Sequence, residues 1–232
     1  MRGWTEESGA VGLAELLGIR RGLTAIIGGG GKTGLLFALA EELHGSGTVI
    51  VTTSTKIRRP EHLPVLDPRD PAELRDALTA ASPICLGSPW PEGKLAAPTL
   101  GFSELCRAAE WVLTEADGSR GLPAKAHAAH EPVIPAEAGQ VILVLGADAF
   151  GQPIFRVCHR PERFAALAGC GPDEALSPAL WARVIRAEGY GNIIYVNKCE
   201  TEAAWQSAAA LAKLLDRPVI AGSLRQGIYR GM

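Results

Sequence analysis

The sequence predicts an α/β fold in three layers, a mostly parallel sheet flanked by helices on both faces. Two observations predict it. Short β-branched runs alternate with longer helical patterns along most of the chain. The first of these runs ends in four consecutive glycines and a Lys-Thr pair that opens a helical pattern.

The elements follow in order. Residues 10–17 read as a short opening helix, and Leu23–Ile27 as the first strand. The glycine run leads into a helix from Lys32 to about Leu43, and Thr48–Thr52 forms the second strand. A helix over 71–81 opens with Pro71 in its first turn and spaces Leu74 and Leu78 four apart. Pro83–Gly87 reads as a third strand, and the Pro/Gly-rich segment 88–101 as a loop or hairpin. A short helix at 102–108 precedes Trp111–Ala116, an apolar strand ending at Asp117. Residues 118–139 hold three prolines and little periodicity, the mark of a long and often functional loop. Gln140–Leu145 and Asn192–Asn197 are strands, with helices at 161–168 and 177–188 between them. A helix over 201–215 puts Trp205, Ala208, Leu211 and Leu215 on one face, and Arg217–Ala221 closes the sheet. The expected organisation is one domain over 1–232, with loop-rich insertions near 88–101 and 118–139.

Composition narrows the function classes. The chain has 232 residues, 47% of them hydrophobic and 21% charged, enough for a core of ordinary size. A formal net charge of −2 argues against nucleic acid as the main partner. No apolar run reaches the length of a membrane span, and the first ten residues are acidic where a signal peptide would be apolar. A cytoplasmic protein without membrane partners is the expectation. Cys85, Cys106, Cys158, Cys170 and Cys199 show neither disulfide nor zinc spacing and read as ordinary thiols.

Gly28-Gly29-Gly30-Gly31-Lys32-Thr33 lies between a strand and a helix, where a phosphate-binding loop belongs. Glycines let backbone N–H groups turn toward phosphate oxygens, and the helix N-terminus adds its positive dipole end. Lys32 supplies a cation for the outer phosphates, and the Thr33 hydroxyl is a ligand for Mg²⁺. Ile26 stands where the common G-x-x-x-x-G-K-[ST] motif has its first glycine, so the match is to the shorter G-x-x-G-K-T form of Mur-ligase-type loops. The expected fold is therefore P-loop NTPase-like, with Mg²⁺ and GTP or ATP as its cofactors.

Such chemistry needs a carboxylate at a neighbouring strand end. Glu115 and Asp117 lie two apart and share one face of their strand. Asp117 is the expected metal ligand, with Lys32 and Asp117 as the catalytic pair and Glu115 ranked below. Thr52–Lys56 leaves the second strand with four hydroxyls and a lysine, from which Thr53 and Lys56 are candidate phosphate or substrate contacts. Asn197-Lys198-Cys199-Glu200 resembles the N-K-x-D base-reading motif of GTP-binding proteins, with Glu in place of Asp. Asn197, Lys198 and Glu200 are expected to hold guanine.

The joint order of these motifs resembles the selenium-dependent molybdenum hydroxylase accessory family of YqeC-type proteins. The resemblance spans most of the length, through GGGGKT at 28–33, TTSTK at 52–56, EADGSRGLPAK at 115–125, HEPVIP at 130–135, LGADAFGQPI at 145–154 and HRPERF at 159–164. It implies a cytoplasmic P-loop protein that assists maturation of molybdenum-containing hydroxylases, with a molybdenum cofactor species or a hydroxylase client as partner. It also directs attention to Lys125, Glu131, His159 and Arg160, which could line a second, anion-binding pocket beside the nucleotide. His127 and His130, three apart, offer a conceivable metal pair. An NTP hydrolase serving that pathway is the leading expectation. A small-molecule kinase or ligase and a slow nucleotide switch are the alternatives.

Overall fold

The structure is a computed structural model and describes residues 11–232. The acidic segment 1–10 and the first residue of the expected opening helix lie outside the described residues. α1 (Leu13–Leu16) leads to β1 (Gly22–Gly28) and, past the glycine loop, to α2 (Lys32–Leu43). β2 (Val49–Thr53), β3 (Lys56–Arg58) and β4 (Val65–Leu66) precede α3 (Pro71–Ala80) and β5 (Ile84–Leu86). The hairpin β6 (Ser88–Trp90) and β7 (Lys94–Ala96) is followed by α4 (Phe102–Ala108) and β8 (Trp111–Glu115). The long loop holds β9 (Ala124–Lys125) and runs to β10 (Ala138–Gly146). Then come α5 (Ile154–Val157), β11 (Cys158–His159), α6 (Pro161–Ala168), α7 (Pro178–Glu188) and β12 (Ile193–Asn197). α8 (Glu202–Ala212), β13 (Val219–Ser223) and β14 (Ile228–Gly231) follow.

Among the described residues, nine strands form one sheet in the order β14-β13-β12-β10-β1-β8-β2-β5-β4. The pairs are parallel except β13–β14. The period-2 alternation of the central strands builds the layers. Leu23, Ala25 and Ile27 of β1 join Val112, Leu143, Leu145, Ile194 and Val196 in a cluster covered by α3, α4, α6, α7 and α8. Ile26, Leu113, Ile142, Val144 and Tyr195 point the other way, onto α1 and α2. The helix starts obey their sequence signals. Asp70 caps α3 by accepting from the Ala72 and Glu73 N–H groups at 2.8 and 3.0 Å, with Pro71 in the first turn. Ser177 and Thr201 cap α7 and α8 in the same way.

Two expectations need correction. Arg217–Ala221 does not close the sheet, because β14 adds an antiparallel edge strand outside β13. The helix expected over 201–215 ends at Ala212. The segment 88–101 is a hairpin, and β3 pairs with it to make a separate three-stranded sheet in the order β3-β7-β6. The long loop is tied down where β9 pairs in parallel with β11. No helix among the described residues is long and apolar enough to cross a membrane. The five cysteines are free thiols, with Cys85, Cys158 and Cys199 buried.

Candidate functional site

The site is built on the central strand. β1 delivers the glycine loop between the ends of β8 and β10, its two hydrogen-bonded neighbours. Gly30, at φ 78°, passes so close to β10 that an added Cβ would sit 2.2 Å from the Gly146 nitrogen. The N–H groups of Gly29 and Gly30 are held by the carbonyls of Val144 and Leu122, at 2.9 and 3.1 Å. The first intrahelical bond of α2 runs from Leu35 N–H to Gly31 O. The N–H groups of Gly31, Lys32, Thr33 and Gly34 therefore open the helix without acceptors inside it. They are an anion cradle at the positive end of a twelve-residue helix.

The end of β8 and the two residues after it set two acids beside this cradle, and the structure gives them different partners. Glu115 accepts a hydrogen bond from the Thr33 hydroxyl at 2.7 Å and lies 3.6 Å from the Lys32 ammonium. Burial pushes the Glu115 pKa up, the nearby Asp117 charge adds to this, and Lys32 and Thr33 oppose it only in part. Asp117 is fully buried beneath the loop. Its Oδ2 accepts from the Gly28 N–H at 2.9 Å and faces Lys125 Nζ at 3.0 Å and His127 Nε2 at 2.8 Å. Lys32 lies 3.3 Å from Oδ1, which has no aligned hydrogen bond. Burial alone would raise the Asp117 pKa, but His127, Lys32 and Lys125 together bring it down to about 2. The structure thus brings Thr33 to Glu115, where the sequence had pointed to Asp117. Lys32 itself is buried, donating to Gly28 O at 2.8 Å and to Ser119 Oγ at 3.3 Å.

Asp117 is the hub of a buried ion network. Lys125 bridges Asp117 to Glu131 at 2.8 Å, and Arg160 reaches Glu131 at 2.7 Å. His127 bridges Asp117 to Glu188, the last residue of α7, at 2.7 Å through Nδ1. Four carboxylates (Glu115, Asp117, Glu131, Glu188) thus meet three permanent cations (Lys32, Lys125, Arg160). A protonated His127 balances the count. Burial opposes that proton, but Asp117 and Glu188 outweigh it and raise the His127 pKa. The neighbouring His159 is pushed the other way, by burial and by the charges of Arg160 and Lys125.

The cradle opens into a cavity of about 500 Å3. Lys32, Lys56, Arg58, Lys94, Arg120 and Lys198 reach it, against the single carboxylate of Glu115. A chain of net charge −2 has concentrated six cations around one glycine loop. Arg120 and Lys198 hold left-handed backbone conformations, at φ 52° and 63°, which side chains other than glycine rarely adopt.

The segment from β1 to the start of α6 is also the one that matches known proteins. The family model described as YqeC protein matches residues 24–162. This chain belongs to the YqeC family. A curated relative from Escherichia coli (strain K12), named "Uncharacterized protein YqeC", is 42% identical over 161 residues. The match covers 66% of this chain and 62% of that protein, so the chain spans less than two thirds of the relative's length. Within the YqeC segment lie the cradle, Glu115, Asp117 and the ion network up to Arg160. Asn197–Glu200 and Glu188 lie outside it.

Asn197 is a latch on the loop. Its Nδ2 donates to Gly30 O at 2.9 Å, and its Oδ1 accepts from the Leu224 N–H at 3.2 Å. Lys198 pairs with Asp148 at 2.7 Å, and Glu200 accepts from Ser223 at 3.0 Å and pairs with the Arg225 guanidinium. Lys198 also joins the cavity at the glycine loop to a neighbouring one of about 600 Å3, lined by Asp148, Phe150, Glu200 and the start of α8. Asp148 and Phe150 were missed by sequence reasoning, although LGADAFGQPI had marked their segment.

Other candidates find structural partners. The Thr53 hydroxyl is buried and donates to Glu115 O at 2.8 Å, so it braces β8 and does not face the cavity. Lys56 does line the cavity. Lys125 is too enclosed, and too fully paired, to line the expected second pocket. The conceivable His127–His130 metal pair is corrected too, since His127 is held between two carboxylates. Among the described residues, no cluster of three or more His, Cys, Asp or Glu side chains is arranged to hold a metal ion.

Proposed function

We propose that this YqeC-family chain binds a Mg²⁺–nucleoside triphosphate over Gly28–Thr33 and hydrolyses its terminal phosphate. The observation that carries this reading is the cavity in which six cations surround one carboxylate at a helix N-terminus. The free N–H groups of α2 receive phosphate oxygens, and Lys32 exchanges its bond to Gly28 O for an outer phosphate. The paired oxygens of Thr33 and Glu115 are hard donors that suit Mg²⁺, which such sites hold with one or two carboxylates plus phosphate oxygens. The ion, when bound, neutralises charge on the terminal phosphates. Asp117 stays beneath the loop and orients Gly28 and Lys32.

The cavity beyond Lys198 receives the base. Phe150 offers an apolar face, and Asp148 and Glu200 offer carboxylates that only accept hydrogen bonds. Guanine presents N1–H and an amine to such groups, whereas adenine presents an acceptor at N1, so GTP is preferred. The family resemblance supports service to the maturation of selenium-dependent molybdenum hydroxylases, with the client or its cofactor species as the partner.

The test is a titration with a fluorescent nucleotide in Mg²⁺, alongside phosphate release. Lys32→Ala is expected to weaken binding by about ten- to a hundredfold, the effect of losing a hydrogen bond to a charged group, with circular dichroism unchanged. Equal affinity in the variant would remove the nucleotide reading.

A further inference from the structure

The phosphate cavity continues on the side away from Lys198. The sheet order puts β12, whose end leads directly to Lys198, two strands from β1 on one side, and β2 two strands away on the other. A nucleotide with its base beyond Lys198 directs its terminal phosphate toward Glu115 and the chain leaving β2. That chain is β3, and it builds the wall of another cavity.

β3, β7 and β6 pair so that Arg58, Lys94 and Trp90 stand opposite one another on one face. The other face is apolar, with Ile57 and Leu95 buried in the core. The cation-bearing face is therefore fixed by the packing of its reverse side. Lys56 lies 3.9 Å over the Trp90 ring, which holds its ammonium beside the phosphate cavity. Beyond Arg58 and Lys94 opens a cavity of about 830 Å3, lined also by Arg59, Glu61, Leu63 and Val65. Arg58 and Lys94 line both cavities, so the two spaces meet at these side chains. Lys94 has Glu92 at 2.6 Å. Arg58 and Arg59 hold no ion pair among the described residues.

We infer that this cavity binds a second, anionic small molecule whose phosphoryl or carboxylate group is held by Arg58, Arg59 and Lys94. Its volume falls within the range of small-molecule sites. Two guanidinium forks match the planar geometry of such groups, and cations gathered in one concavity draw anions into it. The ligand lies at the terminal-phosphate end of the nucleotide, opposite the base. This site replaces the anion pocket expected around Lys125, whose ammonium is enclosed by Asp117, Glu131 and Gly118 O. The inference rests on the nucleotide reading above, and its test separates the two.

The experiment uses the full chain, first saturated with Mg²⁺ and a non-hydrolysable GTP analogue. Failure of this first step counts against the nucleotide reading alone, and the dialysis is then run on the unloaded chain, where the effect of Arg59→Ala still decides the second site. Equilibrium dialysis with radiolabelled inorganic phosphate then reports binding outside the filled phosphate loop, and competition by succinate reports whether a carboxylate is accepted as well. One equivalent of phosphate is expected to bind. Arg59→Ala, which removes a side chain lining only the outer cavity, is expected to weaken phosphate binding by about tenfold, as one lost hydrogen bond to a charged group does. The same variant should keep its nucleotide affinity. Arg58→Ala with Lys94→Ala should abolish retention. No retained phosphate on the nucleotide-loaded protein, or retention by Arg59→Ala and the double variant equal to that of the unaltered chain, would overturn the inference.

Discussion

Replacing Asp117 by Asn tests the claim that this acid belongs to the foundation of the loop. The substitution keeps the shape but removes the charge that faces Lys32, Lys125 and His127. Depression of its pKa from 3.8 to about 2 corresponds to native-state stabilisation on the order of 2–3 kcal/mol. Breaking a buried pair costs about 3–5 kcal/mol. The lower end applies, because Lys32 keeps Glu115 and Lys125 keeps Glu131. With a urea slope of about 2.5 kcal/mol per M, the unfolding midpoint at pH 7 should fall by about 1 M. The sign of the pH dependence follows from the direction of the shift. A depressed carboxylate contributes fully above its unfolded pKa near 3.8, and that contribution is lost as pH falls toward 2. Asp117→Asn should flatten the stability curve in that window. His127 works in the opposite sense, since its raised pKa gives stability below the unfolded value of 6.5 that is lost as pH rises through the folded one. Losing Asp117 should move that loss to lower pH. A midpoint shift under about 0.3 M, with the acid slope unchanged, would refute the argument. So would normal stability accompanied by selective loss of Mg²⁺-dependent nucleotide binding, the outcome expected of a direct metal ligand.

Two further substitutions separate the roles around the loop. Glu115→Gln is expected to weaken nucleotide binding about tenfold in Mg²⁺, the effect of removing a charged partner, and little in EDTA. Equal losses in both would reduce Glu115 to a brace for Thr33. Glu200→Gln is expected to narrow a preference for GTP over ATP, because the amide offers a donor where guanine needs an acceptor. Competition between the two nucleotides for one labelled probe checks it, and a gap that does not move would leave Asp148 as the base-facing carboxylate.

Much of the fold was legible in the sequence, because its central strands are apolar on both faces and stand out between helical patterns. β1, β2, β8 and β12 each carry apolar side chains to both helical layers and read as continuous apolar runs. α3 was announced by Pro71 in its first turn and the spacing of Leu74 and Leu78. β3, by contrast, has three residues, two of them cations, and only Ile57 faces the core. Nothing in such a segment suggests a strand until β7 is laid beside it. β14 escaped for the same reason, as a four-residue edge with little burial. The cradle itself was readable because its chemistry is contiguous, from Gly28 through Thr33.

The candidate site was less legible where partners come from distant parts of the chain. Lys125 looked like a loop cation because the prolines around it suggested exposure. Its neighbours Ala124 and Ala126 are apolar and fully buried, and that alternation was the available signal of a strand. Pairing of β9 with β11 then draws the loop against the segment that carries Arg160, which closes over Glu131. The same pairing explains why polar residues in the loop serve the fold. Asp117 needs buried cations to remain ionised beneath the cradle, and the loop supplies Lys125 and His127 from within ten residues. A loop whose charges neutralise Asp117 has few left for a ligand, whereas Arg58 and Arg59 form no ion pair among the described residues, although Glu61 and Glu92 share their cavity. The cations open to a second ligand are therefore found on the short strand β3 and the residue beyond it, the stretch where sequence periodicity carried least information.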